Sequence, residues 1–248
     1  MIHWHCHDVY QRMPDGATAG GIAVVIDVLR ASTTIVTALA HGAARVVPVA
    51  EVDEARRRAV AIEGSVVLGG ERGGLRIPGF DLGNSPREYS VDRVSGRTIV
   101  ISTTNGTAAL HACRAAREIL VGAIVNRTAV AAAIRRLASA DERVHLVCAG
   151  TDGEPSAEDV LAAGAILDAA AADGPADVLD AAAREAVGFF RRVAASADVP
   201  AALDAAFRRS AGGSNLLALG MEADLPAAAA IDTLAVVPRF HAASGSLM

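Results

Sequence analysis

Four segments of this 248-residue chain bring carboxylates, guanidinium groups, hydroxyls and glycines together at spacings suited to holding a small anion. In the first, Asp27-Val28-Leu29-Arg30-Ala31-Ser32-Thr33-Thr34, an acid ends an apolar run, and an arginine and three hydroxyls open a helical one. Free amides and the positive end of a helix favour an anion there. Arg30 adds bidentate reach, and Asp27 suits a bridging cation. The plainer alternative is an N-cap at Ser32 or Thr33, with Asp27 paired to Arg30.

The second segment, Gly69-Gly70-Glu71-Arg72-Gly73-Gly74, continues through Gly79-Phe80-Asp81-Leu82-Gly83-Asn84 to Ser85-Pro86-Arg87-Glu88. Glycines beside charges suit a loop lying against a ligand, with Glu71 and Arg72 as its polar tools. Asp81 and Asn84 either face the cleft or fold the loop, and Ser85-Pro86-x-Glu88 reads as a capping box. In the third, Ser102-Thr103-Thr104-Asn105-Gly106-Thr107, neutral donors at a strand-to-helix switch suit a phosphate or sulfonate, although the spacing of a Walker loop is absent. The fourth runs from Cys148 through Gly150 and Thr151 to Ser156-Ala157-Glu158-Asp159. There the two acids are either magnesium ligands or capping residues of a first helical turn. Cys148 reads as a buried strand-end thiol, since the C-x5-R pattern of a cysteine phosphatase is missing and position 154 is Glu.

These segments need a scaffold that gathers strand ends. Apolar runs at Ile22 to Asp27, Arg45 to Val49, Ser65 to Gly69, Thr98 to Ser102, Glu118 to Gly122 and Arg143 to Cys148 alternate with stripes of helical period. That order predicts an α/β fold: a three-layer αβα arrangement with a largely parallel or mixed sheet. Turns that follow parallel strands emerge at one edge, so the segments should converge on one cleft. From Ala176 to Leu219 the chain reads as helical throughout. Thr233 to Pro238 reads as a final strand, and the polar tail after it should fray. At the start, His3, His5 and His7 share one face of a strand, either as a metal feature or as its polar side. The expectation is one compound domain over 1–248, with a candidate division into 1–122 and 123–238.

Composition narrows the class. The chain is 52% hydrophobic with 21% charged residues, which supports a large core. Mean hydropathy is +0.35, yet much of the apolar content is alanine and no run reaches the roughly 20 residues of a membrane span. No signal-like start occurs, so a cytoplasmic enzyme is expected. Three scattered cysteines build no disulfide framework. A net charge of −5 with 3% aromatics argues against nucleic acid as partner. The apolar helices after Ala176 are compatible with a homodimer.

Taken in order, Asp27 to Thr34, Gly70 to Gly73, Gly79 to Pro86, Thr103 to Thr107, Cys148 to Gly153 and Ser156 to Asp159, with the closing Val236-Val237-Pro238, resemble the 2-phosphosulfolactate phosphatase family over most of the chain. The resemblance implies a magnesium-dependent phosphatase that hydrolyses 2-phospho-3-sulfolactate, or a closely related phosphorylated hydroxy acid, to 3-sulfolactate and phosphate in coenzyme M biosynthesis. On that reading Asp27, Glu71, Glu158 and Asp159 hold magnesium. Arg30 and Arg72 serve the chemistry with Asp27 and Glu71. Ser32, Thr33, Thr103, Thr104, Asn105, Gly106, Thr107, Gly150 and Thr151 hold the substrate's anionic groups. Direct attack by water is preferred to a phosphoenzyme, because position 29 is Leu where aspartyl-phosphate enzymes carry a second acid. Competing readings are a non-catalytic anion-binding protein and an isomerase or lyase acting on a phosphorylated acid.

Overall fold

The computed structural model describes residues 1–172 and 177–248. Its elements in chain order are β1 (Ile2–His7), β2 (Ile22–Ile26), α1 (Ala31–Ala40), β3 (Arg45–Pro48), α2 (Val52–Ala61), β4 (Val66–Arg72), β5 (Leu75–Arg76), α3 (Val91–Val94), β6 (Thr98–Ser102), α4 (Gly106–Ala112) and β7 (Glu118–Gly122). They continue as α5 (Arg127–Leu137), β8 (Glu142–Cys148), α6 (Ala157–Ala172), β9 (Val178–Leu179), α7 (Ala181–Ala194), α8 (Val199–Phe207), α9 (Ala211–Ala218), α10 (Asp224–Ala228), β10 (Phe240–His241) and β11 (Ser246–Leu247).

The strands form two sheets. One has the order β7-β2-β8-β1-β9 and is parallel throughout. The other has the order β10-β11-β3-β6-β4-β5, with a parallel centre of β3, β6 and β4 and antiparallel pairs at its edges. Strand β2 (Ile22, Ala23, Val24, Val25, Ile26) is buried on both faces, as a central parallel strand covered by helices must be. Its residues Ile22, Val24 and Ile26 join the core cluster shared with α5, α6 and α7, whereas Ala23 and Val25 join the one shared with Ile35 and Val36 of α1 and Leu110 of α4. Val46, Ile99 and Ile101 of the second sheet meet the same α1 and α4 layer, and α2 covers that sheet's far side. Each sheet is therefore the middle of an αβα sandwich, and the two sandwiches share a helix layer. No helix among the described residues is long and apolar enough to cross a membrane.

Several expectations need correction. Residues 173–176, where the helical stretch was expected to begin, lie outside the described part, and Val178–Leu179 pairs with β1 as a strand. Thr233 to Pro238 builds no ladder. It runs extended beside β7, tied by the amide of Leu234 to the Val125 carbonyl, by the amide of Val121 to the Pro238 carbonyl, and by Asn126 Nδ2 to the Val236 carbonyl. Pro238 has no N–H to donate, which is one reason a regular ladder stops there. The tail does not fray: β10 and β11 form a hairpin that places Leu247 opposite Val46 and buries it. The three N-terminal histidines do lie on one face of β1, half-buried. The rings of His5 and His7 stack on His145 at centroid distances of 4.8 and 5.3 Å instead of converging on a point.

Helices α6 and α7 approach closely at Gly164, where a Cβ would lie 2.1 Å from the Ala186 carbonyl oxygen. Gly164→Ala should therefore cost about 2–3 kcal/mol through overpacking. Gly188→Ala, whose Cβ would meet only the end of the Arg192 side chain at 3.4 Å, should stabilise by about 0.5–1 kcal/mol. Denaturant melts of the two variants test this. Equal effects would mean that α6 and α7 are not packed as described.

Candidate active site

Strand β2 stops at Ile26, and the following Asp27 meets the turn between β6 and α4. The amide of Ala31 donates to Asp27 Oδ1 at 3.2 Å, and a Cβ on Gly106 would come within 2.8 Å of Oδ2. Only 8% of Asp27 is exposed. Burial pushes its carboxyl up to about 7, aided by the charges of Glu71 and Glu158 and opposed by the amides of Ala31 and Gly106.

Glu71 arrives from the other sheet. Gly70 adopts φ +142°, and a Cβ there would sit 2.1 Å from the Ser102 carbonyl oxygen, so only glycine lets β4 run this close to the end of β6. Glu71 then points at the next turn. Its Oε1 accepts from the Thr104 amide at 2.9 Å and the Thr104 hydroxyl at 3.0 Å, and its Oε2 accepts from the Gly74 amide at 2.8 Å.

A pair of acids opens α6. Asp159 bridges two strand tips of the first sheet, accepting from the amides of Val28 at 2.8 Å and Gly150 at 3.0 Å. Burial, then the charges of Glu158 and Asp27, raises its carboxyl well above the usual range. Glu158 is raised by burial too, against hydrogen bonds from its own amide, Ser210 and Gly212, and its Oε2 has no partner. Asp159 does not merely cap its helix: it joins β2 to β8, while the Ser156 hydroxyl meets Thr151 at 2.7 Å.

The structure uses the expected anion donors differently. Ser32 accepts from the Asp27 amide, and Thr33 donates to the Val28 carbonyl. Thr103 and Thr107 bond each other at 3.2 Å. Gly106 and Gly150 turn their amides to Asp27 and Asp159. Amide dipoles at strand tips stabilise whichever negative charge lies nearest, and here that charge belongs to the protein. Of the nine residues expected to hold substrate, Thr104, Asn105 and Thr151 line the cavity.

Arg30 lines it as well, though only 4% exposed. It pairs with Asp224 of α10 at 2.8 Å and donates to the Gly74 carbonyl at 2.6 Å, instead of pairing with Asp27. The other oxygen of Asp224 accepts from the Ser85 hydroxyl at 2.5 Å. The capping box expected at Ser85 is therefore not formed, and Glu88 accepts instead from the Gly83 amide. Arg72 does not line the cavity: its guanidinium binds the carbonyls of Ala50, Glu71 and Ser102, tying strand ends together.

The cavity between the two sheets' strand tips measures about 460 Å³. Asp27 and Thr151 come from the first sheet's tips, Glu71 and Thr104 from the second's, and Gly212, Asn215, Leu216 and Leu219 of α9 and its end form another wall. Sequence reasoning missed that wall. Its signal was Gly212-Gly213 inside a helix, where glycine is unfavourable unless space demands it. A Cβ on Gly212 would lie 2.1 Å from Glu158 Oε1.

Among the described residues, no three carboxylates, histidines or cysteines stand ready as a metal ligand set. Asp27 and Glu158 nonetheless suit magnesium: they are mutually repelling, buried oxygen ligands, one with an unpartnered oxygen. Magnesium commonly takes one or two carboxylates and keeps several waters.

Comparison with known proteins places the chain in a family. The profile of a family described as 2-phosphosulpholactate phosphatase matches residues 7–243. A Deinococcus radiodurans protein named "Probable 2-phosphosulfolactate phosphatase" is 44% identical over 218 residues, covering 88% of this chain and 86% of its own. Proteins of the same name from Symbiobacterium thermophilum and Carboxydothermus hydrogenoformans are 42% and 40% identical, covering 92% and 91% of this chain and 94% and 88% of theirs. With its acids gathered at one cleft and nearly its whole length matched, this chain belongs to the 2-phosphosulpholactate phosphatase family of phosphoric monoester hydrolases.

Proposed function

We propose that the chain hydrolyses 2-phospho-3-sulfolactate, or a closely related phosphorylated hydroxy acid, to the free hydroxy acid and phosphate, with magnesium as cofactor. The observation that carries this reading is the charge balance of the cleft. Asp27, Glu71 and Asp152 line the cavity, while Arg30, its one cationic lining residue among the described residues, is already paired with Asp224. A polyanion cannot enter such a site unless a cation enters with it. Asp27 and Glu158 would hold that cation, with Glu71 and Asp159 adding negative field nearby. A bound magnesium ion would offset their charge and polarise the phosphoryl oxygens.

The protein's own groups do the rest. Arg30, fixed by Asp224 and Gly74, orients the anion, and Thr104, Asn105 and Thr151 supply neutral contacts. Leu29, Leu216 and Leu219 line the same cavity and displace water from the reacting phosphate, which strengthens every charge interaction there. Cys148 takes no part, because its hydrogen bond with the Cys6 thiol and its burial hold the thiol well above the ordinary range.

Phosphate release from a panel of phosphorylated sulfonates and carboxylates, with magnesium or with a chelator, tests the proposal. Chelation should reduce turnover by about 10³-fold or more. Undiminished release under chelation would remove magnesium from the account. Binding without release would favour an anion-binding protein, and product without free phosphate an isomerase or lyase. A labelled covalent adduct would replace direct water attack by a phosphoenzyme route.

A further inference from the structure

Two of the buried side-chain atoms that lack any hydrogen-bond partner belong to this site: Glu158 Oε2 and Asn84 Oδ1. Asn84 alone of the two lines the cavity. It is 4% exposed, and the loop that carries it is pinned on every side. Its carbonyl accepts from the Thr34 hydroxyl at 2.7 Å, and the Gly70 amide donates to the carbonyls of Leu82 and Gly83 just before it. Tyr89 donates to the Gly83 carbonyl at 2.8 Å, and Ser85 just after it bonds Asp224. The pinned loop keeps this amide from swinging away to find a partner, though it can still turn about its own terminal bond, and folded proteins rarely leave such a group unmet unless water or a ligand completes it.

Asn84 also has a telling neighbour. Through Ser85 it adjoins the same Asp224 that balances Arg30, so this end of the cavity is polar but nearly neutral. The Asp27 and Glu158 end is strongly negative. The proposed substrate divides the same way. Its phosphate is a good ligand for a magnesium ion, whereas a sulfonate is weakly basic, coordinates magnesium poorly and is satisfied by neutral N–H donors. An asparagine offers two such donors without adding charge, since rotation about its terminal bond turns either its NH2 or its oxygen inward.

We propose that Asn84 is a specificity-determining residue that reads the substrate's sulfonate, with Arg30 beside it. This rests on the phosphatase reading above. The test uses the full chain with magnesium and two substrates that differ only in that group, 2-phospho-3-sulfolactate and 2-phospholactate. Asn84→Ala should lower kcat/KM for the sulfonated substrate about 30-fold, mostly through KM, while 2-phospholactate changes less than about 3-fold. Inhibition by 3-sulfolactate should weaken in parallel, and inhibition by inorganic phosphate should not. Asn84→Asp, equal in size, should show the same selectivity more strongly, because a carboxylate repels the sulfonate, and it decides the matter if the alanine variant does not fold. Equal losses on both substrates, a shift in the magnesium requirement for both, or no loss on either would overturn the inference. A wild-type chain that releases phosphate from neither substrate would overturn the phosphatase reading itself, which separates the two failures.

Discussion

Replacing Asp27 by Asn should lower kcat/KM by about 10³-fold or more and at the same time make the metal-free protein more stable at pH 8. The first effect follows from removing the charge that, with Glu158, would hold the cation. The second follows from what that charge does to an empty cleft. Burial pushes the carboxyl up to about 7 in the fold from its ordinary 3.8, so the folded state binds the proton more tightly than the unfolded one. A raised carboxyl contributes stability at low pH that is lost as pH rises from about 4 through about 7. That rise corresponds to about 4 kcal/mol at the upper limit, and Asn is spared that loss while keeping the acceptor for the Ala31 amide. Thermal melts of both proteins without metal should therefore differ by several degrees at pH 8, the gap closing toward pH 4. Magnesium should raise the melting temperature of the wild type but not of the variant. Full activity in the variant, or a melting temperature below the wild type's at pH 8, would remove Asp27 from the proposed role.

Gly212→Ala should be the second severe change, because it acts on chemistry through space alone. In a helix interior alanine is ordinarily favoured over glycine by about 1 kcal/mol. At this position the new Cβ would lie 2.1 Å from Glu158 Oε1 and 3.5 Å from Leu29 Cβ, so either α9 moves outward or the carboxylate leaves its place. Both outcomes open the wall that carries Asn215 and Leu216. Activity should fall about 10²-fold, with a loss of about 2 kcal/mol in stability. Ser214→Ala, two residues on at an exposed position of the same helix, provides the control and should change neither. If Gly212→Ala behaves like that control, α9 is not the wall of the active cleft.

The acids of this protein were legible in its sequence, and their employment was not. Alternating apolar strands and helical stripes announce an α/β scaffold, since burial on both faces of β2 requires an unbroken apolar run. Asp27 stands out because it follows an apolar run, Glu71 because it lies among glycines, and Glu158 and Asp159 because they open a helical stretch after such a run. Local pattern misled wherever a group's partner is distant in sequence. Ser85 and Ser156 look like helix caps, yet they bond Asp224 and Thr151. The hydroxyl turn at Thr103 to Thr107 looks like an anion cradle, but Thr104 serves Glu71 from another strand and Thr103 and Thr107 serve each other.

Periodicity and motifs a few residues long were enough for the α/β class, most of the central strands and helices, and the family, because these depend on local pattern. Three-dimensional packing set the rest: two sheets, not one, deliver Asp27 and Glu71 to a common cleft, α9 walls it, Arg30 pairs with Asp224, and an unpartnered amide at Asn84 lines the cavity. Those outcomes depend on which donors and acceptors meet across 33 to 194 residues of chain. The energy of a buried hydrogen bond or charge is set by its surroundings in three dimensions, not by its neighbours in sequence.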